Sequence, residues 1–284
     1  MAREFVIGGD AGTPARVGGQ APLLVIAGPC VIESADQALR TAATLAQLCR
    51  GLELGFVFKS SYLKDNRTAV DSPVGPGLEE GLRVLERVRA EIGVPVLSDV
   101  HERGEIAAAA QVLDVLQIPA FLCRQTRLLL EAAATGRCVN VKKGQFLAPD
   151  DVEHLVRKYE ARGSGGLLLT ERGTTFGYGN LVVDMRSLAI LRRFGHPVVF
   201  DVTHSLQRPG GAGRESGGER EFAPVLARAA CAAGVDALFL EAHPEPERAW
   251  SDRHTQIPLP AVPALLAEAR EFHETRRRSQ QTQH

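Results

Sequence analysis

Eight runs of apolar residues recur along the chain: LLVIAG (23–28), FVFKS (56–60), PVLSDV (95–100), VLQIP (115–119), CVNVKKG (138–144), GLLLTERG (166–173), PVVFDVT (197–203) and ALFLEAH (237–243). They are continuous rather than alternating, the pattern of strands covered on both faces in a parallel sheet. Helical patterns separate them, among them ADQALRTAATLAQLCRG (35–51), LEEGLRVLERVRAEIG (78–93), DDVEHLVRKYEARG (150–163) and FAPVLARAACAAG (222–234). Several close on a glycine, which ends a helix without steric cost. A last one, AVPALLAEAREFHE (261–274), follows the eighth run. Eight β-then-α units in about 250 residues predict an α/β protein, a single (β/α)8 TIM barrel, rather than an open sheet. Residues 1–22, with EFVIGG and then RVGGQ, predict a short N-terminal β-hairpin closing the barrel bottom. The barrel takes 23–273, and the polar tail 274–284 is expected to fray.

The barrel makes a positional prediction, because active sites in this fold gather at the C-terminal ends of the strands. Those ends carry Cys30, Lys59, Asp99 and His101, Gln117, Lys142, Glu171 and Arg172, Asp201 and His204, and Glu241 and His243. Ionisable groups directly after apolar strands are costly unless paired or used. Polar groups at every strand end point to an enzyme site.

Composition narrows the chemistry. The 284 residues are 44% hydrophobic and 24% charged, with a formal net charge of −1. Such a balance gives no global attraction to nucleic acid or anionic lipid, so any anion site is local. No apolar run approaches the ~20 residues of a membrane span, and MAREFVIGGDAG lacks the apolar core of a signal peptide. Five scattered cysteines (Cys30, Cys49, Cys123, Cys138, Cys231) form no CxxC pair. A reducing cytoplasm is expected, with thiols free to ligate a metal. Only five lysines accompany the 28 arginines, and four of them cluster as Lys59 with Lys64 and Lys142 with Lys143. A compact ammonium suits a phosphate or carboxylate as a point charge, where a guanidinium aims its donors differently.

Two sets of side chains follow. Cys30 after strand 1, His204 after strand 7, Glu241 at the end of strand 8 and Asp252 in the next loop converge once a barrel closes. A thiolate, an imidazole and two carboxylates suit one divalent ion, Zn, Fe, Mn or Co. Each also has a plainer reading as a small core residue, loop donor, ion-pair partner or cap, and His101 and His243 are rival ligands. The second set, Lys59, Lys64, Arg67, Arg124, Lys142, Lys143 and Arg172, is a ring of positive charge suited to two phosphorylated ligands. No GxxxxGK[ST] or GxGxxG is present, so nucleotide-binding readings lack support. The Gly-rich segment QRPGGAGRESGG (207–218) is placed to act as a lid, and GTTFGYGN (173–180) is a second loop at the same mouth.

The strings AGPCVIES, FVFKSSYLKDNRTAVDSPVGPGLEEGL, SDVHE, QIPAFLCRQT, NVKKGQF, ERGTTFGYGNLVVDM, DVTHSLQ and LEAHPEPERAWSD occur in this order. Over 23 to about 270, the chain resembles the 3-deoxy-D-manno-octulosonate 8-phosphate synthases. The resemblance implies a transferase that condenses phosphoenolpyruvate with D-arabinose 5-phosphate and releases phosphate, for lipopolysaccharide inner-core synthesis. It also implies a barrel that is usually a homotetramer. Cysteine in AGPC resembles the metal-dependent branch, whose ligands fall on Cys30, His204, Glu241 and Asp252. The phosphoenolpyruvate residues fall on Lys64, Gln117, Lys142 and Arg172, with Lys59 close by. The sugar-phosphate residues fall on Asn66, Arg67 and Thr68, with Arg124 reaching across from a neighbouring subunit. Thr68 stands where the family commonly has Ser. Asp99 belongs to the substrate-facing set, and His101, His204 and Asp252 are the candidates for proton transfer. The related 3-deoxy-D-arabino-heptulosonate 7-phosphate synthases typically carry a KPRTS-type motif, where this chain has KDNRT (64–68). That enzyme, or a non-catalytic sugar-phosphate-binding barrel, is the alternative.

Overall fold

All eight apolar runs become strands that pair in parallel and in chain order, and the last returns to the first. The structure is a computed structural model that describes residues 2–9, 12–67, 69–175, 177–211 and 216–281. The barrel strands are β3 (Leu24–Gly28), β4 (Gly55–Lys59), β5 (Val96–Asp99), β6 (Val115–Ile118), β7 (Cys138–Lys142), β8 (Leu167–Glu171), β9 (Val198–Asp201) and β12 (Ala237–His243). Strand β12 bonds to both β3 and β9, which closes the barrel. Ahead of it lie β1 (Phe5–Ile7) and β2 (Ala15–Val17), and two short pairs, β10 (Gln207–Arg208) with β11 (Gly217–Gly218) and β13 (Ile257–Pro258) on β12, follow β9 and β12. The helices are α1 (Ala35–Gly51), α2 (Leu78–Ile92), α3 (Arg103–Val112), α4 (Thr126–Ala134), α5 (Val152–Glu160), α6 (Arg186–Arg192), α7 (Ala223–Ala233) and α8 (Val262–Gln281).

Side chains alternate across a strand, so each barrel strand sends every second residue inward. Leu24, Ile26, Val57, Leu97, Val115, Cys138, Leu168, Val199, Ala237 and Phe239 form one buried cluster inside the barrel. The alternate residues, such as Val25, Phe58, Val96, Leu116, Val139, Leu167, Val198 and Leu238, pack outward under the helices. One step further along the inward register stand Lys59, Asp99, Gln117, Asn140, Thr170, Asp201 and Glu241. The interior is therefore apolar below and polar at the C-terminal mouth. Ile7, Ala15 and Val17 of the antiparallel β1–β2 pair join the inner apolar cluster from below.

Two local features hold this frame. Gly28 sits opposite Glu241 in the β3–β12 register, and a Cβ there would lie 2.0 Å from the Lys59 carbonyl oxygen. Only glycine permits that approach. Helix α8 runs to Gln281, into the polar tail that begins at residue 274. Arg277 Nη2 donates to the Gln20 carbonyl at 2.5 Å, tying the C-terminal part of α8 to the segment after the hairpin. Residues 282–284 lie outside the described residues.

Candidate active site

The polar mouth opens into a cavity of about 630 Å³. Lys59, Lys64, Asn66, Arg67, Asp99, His101, Gln117, Lys142, Arg172, His204, Glu241 and Asp252 all line it, which brings together most of the residues singled out from sequence. Thr68 and positions 212–215 of the expected lid lie outside the described residues; Pro209, Gly210 and Ser216 of the same loop line the cavity.

On one wall, Cys30, Glu241 and Asp252 place one sulfur and two oxygens within 4.8 Å of one another. The Cys30 thiol donates to Asp252 Oδ2 at 3.0 Å. His204, the fourth ligand expected from sequence, stands beside this group rather than in it, with Nε2 3.8 Å from Glu241 Oε1. Burial, followed by the Glu241 carboxylate, pushes the Cys30 thiol well up. For Asp252, burial opposes ionisation, but Lys64 and His204 hold the carboxyl well below its usual range. Asp252 takes a left-handed backbone (φ 49°), a strained choice for a residue with a side chain. Its carbonyl accepts from Thr255 and Gln256 N–H, both at 3.0 Å. Gln256 Oε1 in turn accepts the Cys30 N–H at 3.2 Å, locking the loop to the end of β3.

The cluster fits a divalent ion on two grounds. Glu241 Oε2 is buried with no hydrogen-bond partner, a costly state for a carboxylate oxygen unless it binds a cation. The donors, one sulfur, one imidazole nitrogen and carboxylate oxygens, match borderline first-row ions. Of the rival ligands, His243 is committed elsewhere: Nδ1 accepts the Glu245 N–H at 3.0 Å and Nε2 meets Gln37 at 2.6 Å.

Cations face the cluster. Lys59 Nζ lies 2.6 Å from Glu241 Oε1 and 2.8 Å from the Cys30 carbonyl oxygen. Burial works hardest against its ammonium, but Glu241, Cys30 and Asp99 together outweigh it and leave the pKa raised. Lys142 Nζ donates to Asp201 Oδ2 at 2.5 Å and stands 3.7 Å from the Phe239 ring centroid. There burial prevails over Asp201 and lowers the pKa. Lys64 makes no side-chain hydrogen bond or ion pair among the described residues, although Cys30, Asp99, Glu241 and Asp252 favour its charge against burial. Arg172 leaves Nε and Nη1 buried and unpartnered, and donates Nη2 to Gln207 at 2.8 Å. Arg67 Nε is likewise orphaned, while Nη1 and Nη2 hold Ser251 and the Trp250 carbonyl. Unpaired buried cation donors are what an anion site requires.

On the opposite wall, Asp99 receives Ser61 Oγ and faces His101 Nε2 at 3.2 Å. Burial opposes charge on His101, but its bond to Asp99 raises the imidazole's pKa. Gln117, on the cavity lining, accepts from Asn140 Nδ2 at 2.9 Å through Oε1.

Known proteins share this chain's sequence over nearly its whole length. Residues 5–276 match the DAHP synthetase I family. The chain belongs to that family. A 2-dehydro-3-deoxyphosphooctonate aldolase of Pelobacter propionicus is 55% identical over 267 residues, covering 94% of this chain and 96% of the relative. That of Geobacter metallireducens is 56% identical over 266 residues, with the same two shares. One from a Cyanothece species is 57% identical over 250 residues, 88% of this chain and 92% of the relative.

Of the seven clustered cations, Lys59, Lys64, Arg67, Lys142 and Arg172 line the cavity of their own chain. Lys143 follows Lys142 and so points the other way, bonding the Leu147 carbonyl at 3.1 Å and lying 3.5 Å from Glu171. Arg124 is exposed and lies outside the cavity of its own chain. Sequence reasoning missed Gln207, which bridges Arg172 to Asp252 Oδ1 at 2.7 Å, and Gln256 and Ser251 behind Asp252. No spacing signal marks these loop residues.

Proposed function

We propose that this protein condenses phosphoenolpyruvate with D-arabinose 5-phosphate and water, giving 3-deoxy-D-manno-octulosonate 8-phosphate and inorganic phosphate. The observation that carries the reading is one cavity lined by Glu241, Asp252 and His204, with the Cys30 thiol on Asp252 and the buried, unpaired donors of Arg67 and Arg172 beside them. The names of the relatives support the eight-carbon product over the heptulosonate alternative.

Two anionic substrates repel each other strongly in a poorly solvated site unless counter-charges are present. Lys64, Lys142 and Arg172, with Gln117, hold phosphoenolpyruvate; Asn66 and Arg67 take the sugar phosphate at the outer rim. Holding C3 of the enol phosphate against the aldehyde carbon contributes roughly 7–11 kcal/mol of the barrier reduction through positioning. The C3–C1 bond forms, the aldehyde oxygen takes up a proton, water adds to C2, and the C2–O bond to phosphate breaks. His101, whose pKa is raised by its bond to Asp99, His204 and Asp252 are the candidate proton carriers. Cys30, His204, Glu241 and Asp252 would hold one divalent ion, which when bound polarises the aldehyde oxygen as a Lewis acid.

A homotetramer in the cytoplasm belongs to this reading, with Arg124 reaching a neighbouring site. In support of the shared site, Arg124 is exposed and follows Phe121, an exposed aromatic at the cavity rim, in the same short segment. The test is phosphate release from phosphoenolpyruvate. It is expected to require D-arabinose 5-phosphate; release that is indifferent to the sugar contradicts the reading.

A further inference from the structure

Asp201 is fully buried at the end of β9, and the chemistry above gives it no contact with substrate or ion. Its two oxygens are nonetheless saturated. Oδ2 accepts Lys142 Nζ at 2.5 Å and lies 2.8 Å from His204 Nδ1. Oδ1 takes the His204 backbone N–H at 2.9 Å and Thr203 Oγ at 3.2 Å. Lys142 Nζ is also 3.4 Å from His204 Nδ1, but the carboxylate oxygen is the nearer partner of Nδ1 and the stronger acceptor for its proton. Thr203 Oγ also accepts the Glu241 N–H at 3.2 Å, which extends the same network to the β12 carboxylate.

This arrangement has a consequence for His204. A carboxylate oxygen accepts only, so the imidazole proton sits on Nδ1 and the lone pair sits on Nε2. Nε2 is the atom that faces Glu241. We infer that Asp201 is a positioning residue that fixes the metal-binding tautomer of His204 and, through the same oxygen, holds the Lys142 ammonium in the anion site. Both halves of the reaction centre then rest on one carboxylate. The inference rests on the metal-dependent reading above.

Asparagine at 201 keeps the volume but cannot satisfy these partners. With its oxygen toward Lys142 and His204, its NH2 meets the His204 backbone N–H. With the amide flipped, its NH2 faces the ammonium and turns His204 to the tautomer protonated on Nε2. Either orientation sets donor against donor.

The test titrates metal-free protein with cobalt(II), followed by visible absorption and calorimetry, in wild type, Asp201→Asn and Asp201→Glu. Thermal melting checks that each variant is folded. Wild type is expected to take up cobalt(II), and Asp201→Asn to bind it roughly 10–100-fold more weakly, as for other partners of ligating histidines. Asp201→Glu, which keeps an acceptor-only group, is expected to fall between them, and phosphoenolpyruvate binding to metal-free protein is expected to weaken in Asp201→Asn. Equal cobalt(II) affinity in wild type and Asp201→Asn overturns the inference and leaves the metal reading standing. Failure of wild type to bind cobalt(II) overturns both. If Asp201→Asn does not fold, the nitrogen-15 shifts of His204 in metal-free wild type carry the test: a proton on Nε2 with Nδ1 bare overturns the inference.

Discussion

Lys59 and Glu241 meet at 2.6 Å across the barrel mouth, from strands β4 and β12 that flank Gly28 of β3, and both are sealed from solvent. Lys59→Met removes the closest cation from a fully buried carboxylate. Breaking one partner of such a pair costs about 3–5 kcal/mol. Urea denaturation of the metal-free protein measures it, and adding Glu241→Gln is expected to restore most of the loss. A Lys59→Met variant as stable as wild type would show that the pair is not balanced as described.

Cys30 supplies the only sulfur of the ion cluster. Cys30→Ala is expected to lower cobalt(II) affinity by more than the roughly 10–100-fold that losing an outer partner costs. Turnover should fall with it and not return on adding excess metal. Full turnover by the variant in the presence of chelator contradicts the ligand assignment.

Lys142 faces the cavity with its ammonium over the Phe239 ring. Lys142→Ala removes a charge-assisted contact worth about 1.5–3 kcal/mol, so kcat/KM for phosphoenolpyruvate should fall about 10–150-fold. Lys143→Met changes an outward side chain and should leave that constant far closer to wild type while lowering stability. Steady-state kinetics and melting curves on both variants separate the two lysines. Equal kinetic losses contradict the inward and outward assignment.

Away from the site, burial first, then Arg277 and Arg276, pushes His273 of α8 down to about 4. An unfolded histidine titrates near 6.5, so between about pH 6.5 and 4 the unfolded chain binds the extra proton. Stability contributed by neutral His273 is therefore complete above pH 6.5 and is lost as pH falls toward 4, by about 3 kcal/mol at most. Denaturant unfolding of wild type and His273→Gln at pH 7.5 and 5.0 checks the sign. Wild type should lose more stability than the variant; parallel losses contradict it.

Much of this site is legible in the order of residues along the strands. Val57 and Lys59, Leu97 and Asp99, Val115 and Gln117, and Phe239 and Glu241 are spaced by two, so an apolar residue inside the barrel marks the next polar one as inside too. The same rule separates Lys142 from Lys143 and singles out Asp201 two residues after Val199. It does not reach the loops. Gln207, Ser251 and Gln256 arrive by backbone paths that no periodicity records, and the left-handed backbone of Asp252 is imposed by its surroundings. Nor does the polar composition at the end of α8 show what Arg277 meets there, Gln20, more than two hundred residues earlier in the chain.

The acceptor sugar is the centre of the account. The most direct measurement gives the protein phosphoenolpyruvate with equimolar D-arabinose 5-phosphate and D-erythrose 4-phosphate, and weighs the products by mass spectrometry. An eight-carbon phosphorylated acid, formed with one phosphate per molecule, is the expected result. A predominantly seven-carbon acid, or no new carbon–carbon bond at all, contradicts it.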